Sequence, residues 1–225
     1  MLDIAVIFDL DGTLVDSAPD LHAALNHSLA RAGRPSVSLD AVRHMVGRGA
    51  RVLLERGLVA TGGMPEPEKF EELVEYFFTY YGAHVSDESR VFDGVREALD
   101  ALRHEGAVMG VCTNKPLQFA IPLLEDLNLA SYLDAIIGAD SFPFRKPDPR
   151  HLTGTLEAMG VASRRAFMVG DSISDIDAAK GAEMPVIAVS FGYTETPVQQ
   201  LGPDHIIDHF NELLPLIRQL TVSPA

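Results

Sequence analysis

Two aspartates at the end of a short apolar segment are the first residues in the sequence whose side chains could take part in catalysis. Asp9 and Asp11 follow the apolar run Ile4–Phe8 and lead into a turn at Gly12. A continuous run of this kind is typical of a buried parallel strand, and open parallel sheets bind ligands at the carboxyl ends of their strands. The two carboxylates could therefore face one cavity at the end of the first strand.

Three further polar residues supply the other parts of a phosphoryl-transfer site. Thr113 and Asp171 directly follow later apolar runs, and Lys146 lies in a proline-rich segment. Clustered carboxylates repel one another unless a hard cation lies among them, and their oxygen ligands favour Mg²⁺. Lys146 could add a compact positive charge, and Thr113 could donate a hydrogen bond to a phosphoryl oxygen. The set provides the nucleophile, charge neutralisation and positioned donors that phosphoryl transfer requires.

The elements that must position these residues alternate along the chain. Apolar runs predict strands at 4–8, 108–112, 135–137, 166–169, 186–189 and 205–207. Segments with helical periodicity lie between them, at 95–104, 117–127, 151–159 and 176–180. Strands that alternate with helices predict an α/β fold with a doubly wound parallel sheet, the architecture of a Rossmann-like core.

One connection is far longer than a crossover helix requires. Residues 9–107 separate the first two predicted strands, which indicates an inserted subdomain. Ser17 could cap its first helix, Ser38 precedes a second, a third covers 50–60, and an apolar stripe along 70–81 predicts a fourth. We therefore predict an all-helical cap at 16–87 and an α/β core formed by 1–15 and 88–225.

Composition and charge argue against some classes of binding partner. The formal net charge is −14, and no cluster of Lys and Arg is present that could bind a nucleic-acid backbone. The amino terminus does not resemble a signal peptide, no apolar run is long enough to span a bilayer, and the single cysteine, Cys112, cannot form an intramolecular disulfide. We predict a cytoplasmic protein, a monomer or homodimer, that binds neither membrane nor nucleic acid.

The polar segments also occur in the order of a known set of motifs. Asp9-Leu10-Asp11-Gly12-Thr13, Thr113-Asn114, Lys146-Pro147 and Gly170-Asp171-Ser172 with Asp175 closely resemble the four motifs of the haloacid dehalogenase-like hydrolases. The helical insertion resembles the subclass with a helical cap. Flanking segments, among them Val46-Gly47-Arg48-Gly49-Ala50 and Thr113-Asn114-Lys115-Pro116, look like those of bacterial phosphoglycolate phosphatases.

This resemblance implies a mechanism and a set of site residues. Asp9 would form an aspartyl-phosphate, and Asp11 would protonate the leaving alkoxide and then activate water. Mg²⁺ would be held by the carboxylates of Asp9 and Asp171 and by the backbone carbonyl of Asp11, with Asp175 acting behind them or through water. The resemblance implies that a small phosphorylated metabolite, 2-phosphoglycolate, is the substrate.

Two further residues are candidates for substrate binding. Asn114 neighbours Thr113, and Arg48 lies in the cap turn that would close over the site. A guanidinium can hold a carboxylate with two hydrogen bonds, so Arg48 is the cap residue best suited to a carboxylate-bearing substrate.

Several other functions stay open at this stage. The same residues could serve a phosphatase for another small ester or pyrophosphate, or a sugar phosphomutase, which would share Asp9, Asp11 and Mg²⁺. A non-enzymatic switch domain also phosphorylates a strand-end aspartate, but it lacks a large insertion after the first strand. A dehalogenase needs no acid for its leaving group, and a phosphonate hydrolase would need a lysine that the first cap helix lacks.

Overall fold

A computed structural model describes residues 3–161 and 165–222. The strands in these ranges are β1 (Ile4–Phe8), β2 (Val15–Asp16), β3 (Arg90–Val91), β4 (Val108–Cys112), β5 (Ala135–Ile137), β6 (Arg165–Gly170), β7 (Val186–Val189) and β8 (His205–Ile207). The α-helices are α1 (Ala18–Arg31), α2 (Leu39–Arg43), α3 (Ala50–Ala60), α4 (Pro67–Ala83), α5 (Val95–His104), α6 (Leu117–Asp126), α7 (Arg150–Ala158), α8 (Ile173–Gly181), α9 (Val198–Leu201) and α10 (Leu213–Val222). Short 3₁₀ turns lie at Ala130–Tyr132 and Phe210–Glu212.

Six of the strands form one parallel sheet in the order β5-β4-β1-β6-β7-β8. The chain proceeds outward from β1 to β5 and then crosses to β6 on the other side of β1. A reversal of direction beside a central strand opens a crevice at its carboxyl end, which is where ligands bind in such sheets. The predicted doubly wound α/β fold is confirmed.

The apolar runs form strands because both faces of the sheet are covered. In β1, Ile4, Val6 and Phe8 belong to one hydrophobic cluster, whereas Ala5 and Ile7 belong to a second cluster on the opposite face. Every residue of β1 is buried as a result. A strand buried on both sides requires apolar residues at all positions, which explains the absence of alternation in the sequence.

The inserted helices α1–α4 lie between two very short strands. β2 and β3 pair antiparallel, Val15 with Val91 and Asp16 with Arg90, so the chain leaves and re-enters the core at one place. Two-residue strands have no detectable periodicity, and the sequence did not predict them. The predicted aromatic stripe of α4 is buried, as expected for the core of a helical bundle. The exact boundaries of the predicted cap, 16–87, stay a prediction.

One predicted helix start and one predicted side-chain cap differ from the structure. α8 begins at Ile173 rather than at 176, because Ser172 and Asp175 form a capping box that satisfies the amides of the first turn. Ser17 lies at the start of α1 but does not cap it, since its hydroxyl donates a hydrogen bond to the Asp11 carboxylate instead. Among the helices of residues 3–161 and 165–222, none combines the length and apolar content needed to cross a membrane.

Candidate functional site

Asp9 is held at the carboxyl end of β1 by its own backbone. Its amide continues the sheet by donating to the Val169 carbonyl at 2.9 Å, and the Leu10 amide donates to its Oδ1 at 2.7 Å. The Asp9 side chain is buried, with 5% of the residue exposed. These contacts fix the direction of one carboxylate oxygen before any ligand arrives.

Lys146 provides the positive charge nearest to Asp9. Its Nζ lies 3.0 Å from Asp9 Oδ1 and 2.6 Å from Asp175 Oδ1, and all three residues are buried. Burial alone would lower the pKa of Lys146, but the carboxylates of Asp175 and Asp9 outweigh it and raise the pKa overall. The lysine therefore stays charged and holds two carboxylates that would otherwise repel each other.

Asp9, Asp171 and Asp175 form a buried acidic cluster. One oxygen of each lies within 4.8 Å of those of the other two. Asp171 accepts hydrogen bonds from Thr13 Oγ1 at 3.1 Å and from the Tyr193 amide at 2.6 Å. Asp175 Oδ2 accepts one from Ser172 Oγ at 2.7 Å. The cluster is thus a fixed arrangement that protein donors keep in place.

Glycine makes the approach of Asp171 possible. Gly12 has φ +84°, and a Cβ at this position would lie 2.3 Å from Asp171 Oδ2. Any other residue would be strained in this conformation and would displace the carboxylate. The turn after β1 therefore requires glycine to bring Asp171 toward Asp9.

The electrostatics of the acidic cluster fit a bound divalent cation. Burial, followed by the charge of Asp175, raises the pKa of Asp9 to about 7, although Lys146 opposes this shift. Burial also raises the pKa of Asp171 well above its usual value. A raised pKa means that the ionised carboxylates are not fully balanced by nearby positive charge. Their oxygens are the ligands that hard divalent cations prefer. The residues present therefore suit such a cation.

Asp11 faces the same cavity but has a separate partner. Lys115 Nζ lies 2.8 Å from Asp11 Oδ1 and 3.1 Å from Oδ2, and Ser17 donates to Oδ1. Lys115 is buried, whereas Asp11 is half-buried at the wall of the cavity. The carboxylate of Asp11 is therefore held apart from the acidic cluster and turned toward the open cleft.

A cleft lies between core and cap, and about 470 Å³ of space within it is not filled by protein atoms when its opening to solvent is included. Its lining residues are Asp9, Asp11, Leu21, Val46, Gly47, Gly49, Ala50, Leu53, Tyr81, Thr113, Asn114, Lys115, Pro116 and Phe119. The Thr113 hydroxyl oxygen accepts a hydrogen bond from the Lys115 amide at 3.1 Å, which leaves its proton available to a ligand. One wall is thus polar and reactive, and the cap side is largely apolar.

The structure places the two candidate substrate-binding residues in different surroundings. Asn114 Nδ2 donates to the carbonyls of Lys146 at 3.0 Å and Gly47 at 3.4 Å, so its amide protons are committed to the protein. Arg48 is exposed and lines a neighbouring groove with Arg145 and Lys146, outside the cleft that contains Asp11. The flanking Gly47 and Gly49 line that cleft, whereas Arg48 does not. Substrate contacts by these two residues stay a prediction.

Comparison with known proteins identifies the family. A model of the haloacid dehalogenase-like hydrolases matches residues 6–189. The chain belongs to the haloacid dehalogenase-like hydrolases. The resemblance inferred from the motifs is thereby confirmed.

Relatives of this hydrolase share most of its length. It is 48% identical over 218 residues to a phosphoglycolate phosphatase of Agrobacterium fabrum, covering 96% of this chain and 93% of the relative. A phosphoglycolate phosphatase of Caulobacter vibrioides is 47% identical over 221 residues, with 98% and 93% covered. The crystal structure of a predicted phosphoglycolate phosphatase from Haemophilus somnus superimposes with a TM-score of 0.90 at 32% identity, covering 96% of this chain and 98% of the other.

No pattern in the sequence predicted the contact of Tyr193 with the acidic cluster of this hydrolase. The residue lies in the loop after β7, where its amide bonds to Asp171 and its hydroxyl donates to Asp16 while accepting from the Ala18 amide at 3.0 Å. It therefore joins the acidic cluster to the start of the cap. The preceding Gly192 is the one sequence feature that could have indicated this close contact, since a Cβ there would lie 2.2 Å from Asp171 Cβ.

His151 accepts a hydrogen bond from the backbone of Lys146, and its lowered pKa makes the free energy of unfolding depend on pH. Its Nδ1 accepts from the Lys146 amide at 3.2 Å, and its Nε2 lies 3.1 Å from the Gly138 carbonyl, which suits the neutral ring protonated on Nε2. Burial, and then the charge of Lys146, lower the pKa of His151 to about 4. The folded protein therefore resists protonation at this ring.

We expect His151 to destabilise the fold as pH falls from about 6.5 to about 4. In this window the unfolded chain binds a proton that the folded chain does not, so the free energy of unfolding falls by up to about 1.4 kcal/mol per pH unit. Urea unfolding from pH 7.5 to pH 4.5 should show that the free energy of unfolding of the wild type decreases relative to that of His151→Asn as pH falls. The opposing contribution of Asp9, whose pKa is raised to about 7, is common to both proteins. Replacement of the exposed His104 by Asn is the control; parallel profiles for wild type and His151→Asn would contradict the assignment.

Proposed function

We propose that this hydrolase cleaves 2-phosphoglycolate to glycolate and phosphate through an aspartyl-phosphate on Asp9, with Mg²⁺ as its metal ion. The observation that carries the proposal is the buried Asp9 carboxylate, held 3.0 Å from Lys146 at the wall of a cleft that Asp11 also lines. A nucleophile, a fixed positive charge and an acid–base residue thus surround one small volume. The names of its relatives support the choice of substrate.

In the first chemical step, an Asp9 carboxylate oxygen attacks phosphorus and the bond from phosphorus to the ester oxygen breaks. Asp11 gives its proton to the departing alkoxide, which leaves as the alcohol. In the second step, Asp11 takes a proton from water as that water attacks phosphorus, and the acyl–phosphate bond breaks to free Asp9 and inorganic phosphate. Lys146 and the Thr113 hydroxyl stabilise the charge that develops on the phosphoryl oxygens.

The proposed metal ligands are the carboxylates of Asp9 and Asp171 and the backbone carbonyl of Asp11. When bound, Mg²⁺ would neutralise phosphoryl charge and orient the phosphoryl group. Asp175 supports these ligands, since it binds Lys146 through one oxygen and caps α8 through the other. Its two oxygens are therefore largely occupied by protein donors, which favours an indirect role.

The apolar cap side of the cleft favours a small substrate over a sugar phosphate. Leu21 and Leu53 of the cap, together with Phe119 of the core helix α6, offer no hydrogen bonds to sugar hydroxyls, and burial of unpaired hydroxyls is costly. A phosphomutase would need such contacts to hold and reorient its intermediate. Asp11, poised to activate water, likewise favours turnover over a lasting phosphoprotein switch.

A substrate panel tests the proposal. Phosphate release should be measured with Mg²⁺ and with EDTA for 2-phosphoglycolate, ethyl phosphate, glucose phosphates, nucleoside monophosphates and pyrophosphate. We expect kcat/KM for 2-phosphoglycolate to exceed the others by at least about tenfold and to vanish in EDTA, because a matching pocket and a cation are both required. A preference for another ester would refute the substrate, and isomerised sugar phosphate without phosphate release would indicate a mutase.

A further inference from the structure

The hydroxyl of Tyr81 is a buried donor without a partner. Tyr81 lies near the end of α4, is 1% exposed, and lines the cleft together with Asp9 and Asp11. Its hydroxyl oxygen makes no hydrogen bond to any residue in the ranges that the structure describes. A buried polar group without a partner destabilises a fold, so its presence at a cleft indicates an acceptor that arrives with a ligand.

The ammonium of Lys115 lies beside this hydroxyl. Its Nζ lies 4.8 Å from the centroid of the Tyr81 ring, and its hydrogen bonds go to the two carboxylate oxygens of Asp11. A lysine ammonium has three N–H donors, and the third lies on the side of Tyr81, whose hydroxyl contributes to raising the pKa of Lys115. Burial lowers the pKa of Lys115, but the charge of Asp11 more than offsets this, so the ammonium stays charged.

We propose that the Tyr81 hydroxyl and the third N–H of Lys115 together bind the carboxylate of the leaving group. The cap thus supplies one donor and the core the other. This inference rests on the proposed function and names the residues that select its substrate. Burial raises the pKa of Tyr81 to about 12, so its hydroxyl keeps the proton that it must donate.

The position of Lys115 determines how far this carboxylate can lie from the reacting phosphate. Lys115 Nζ is 2.8 Å from Oδ1 of Asp11, the residue that would protonate the leaving oxygen. Hydrogen bonds are about 3 Å long, so an acceptor bound to Lys115 lies within a few ångströms of the leaving oxygen that Asp11 would protonate. A single carbon between ester oxygen and carboxylate spans this gap, as in 2-phosphoglycolate.

Lys115 is the one positively charged side chain among the described residues that line this cleft. Leu53 and Phe119 on its other side are apolar, and the exposed Arg48 lies on the neighbouring groove. An ester without a carboxylate would bind but leave the Tyr81 hydroxyl unpaired. Sites built to hydrogen-bond one substrate group reject analogues that lack it.

The test is Tyr81→Phe, assayed with 2-phosphoglycolate and with ethyl phosphate, which has no carboxylate. We expect the ratio of the two kcat/KM values to fall at least about tenfold, because a hydrogen bond to a charged group is lost with one substrate only. The urea midpoint of the ligand-free variant should equal or exceed that of the wild type, because no hydrogen bond within the protein is lost. Tyr80→Phe, on the same helix but outside the cleft lining, is the matched control and should leave the ratio unchanged.

The outcomes separate this inference from the proposed function. An unchanged ratio in Tyr81→Phe, with a wild type that prefers 2-phosphoglycolate, overturns the role of Tyr81 and leaves the function intact. A wild type that hydrolyses neither ester overturns both. A fall in the ratio accompanied by a lower urea midpoint would show a structural role and would count against the inference.

Discussion

Asp9→Asn is expected to lower kcat by at least about 10⁴-fold, because an amide oxygen cannot form the acyl phosphate. The same change should increase stability in EDTA at pH 8 by about 1 kcal/mol or more. The pKa of Asp9 is raised to about 7 in the fold, so its ionised form is disfavoured there and stability decreases as pH rises through that value. Loss of activity together with a gain in stability would be the signature of a carboxylate placed for chemistry.

Phosphate release and urea unfolding in EDTA measure the two effects of Asp9→Asn. Asp208→Asn is a suitable control, since Asp208 follows β8 at the same edge of the sheet but is exposed and bonded to Ser190. It should change neither quantity appreciably. Activity of Asp9→Asn within tenfold of the wild type would remove Asp9 from the role of nucleophile.

Lys146→Met should cause the second largest loss, in stability as well as in activity. Methionine replaces the buried stem but leaves Asp9 and Asp175 without the ammonium that lies 3.0 Å and 2.6 Å from them. Removal of one partner from a buried ion pair costs about 3–5 kcal/mol, because the remaining charges are uncompensated. We expect a comparable fall in the free energy of unfolding in EDTA and at least about a 10³-fold fall in kcat/KM.

Lys69→Met is the control that shows whether the losses in Lys146→Met are specific to the buried lysine. Lys69 pairs with Glu72 at the surface, where both side chains are largely exposed, and such pairs contribute little. The control should remain within about 0.5 kcal/mol of the wild type. If Lys146→Met lost activity but kept its stability, the lysine would not be neutralising the cluster in the free protein.

The strands and the reactive residues at their ends were predictable for the same physical reason. A parallel strand covered on both faces must be continuously apolar, so β1 and β4 stand out in the sequence. The polar residue that ends each run then marks the ligand-binding edge. This reasoning located Asp9 and Thr113, and it placed Asp171 at the same edge.

The partners of these residues were not predictable, because they come from distant parts of the chain. The pairing of Lys115 with Asp11 depends on how the loop after β4 folds toward β1, and the bond from Tyr193 to Asp171 depends on the loop after β7. Neither contact leaves a periodic pattern. The direction of Arg48 depends likewise on the packing of the cap turn against Asn114, whose backbone oxygen would lie 3.2 Å from a Cβ at Gly49.

The paired strands β2 and β3 make the helical insertion equivalent to the loop of a β-hairpin. Asp16 lies opposite Arg90, and Asp20 accepts hydrogen bonds from both the amide and the hydroxyl of Ser89, so the two ends of the insertion are fastened together. The entropy lost on closing a loop grows only with the logarithm of its length. Each doubling of the length of the insertion therefore adds only about 0.6 kcal/mol to the entropic cost of bringing β2 and β3 together, so assembly of the core depends only weakly on the length of the cap.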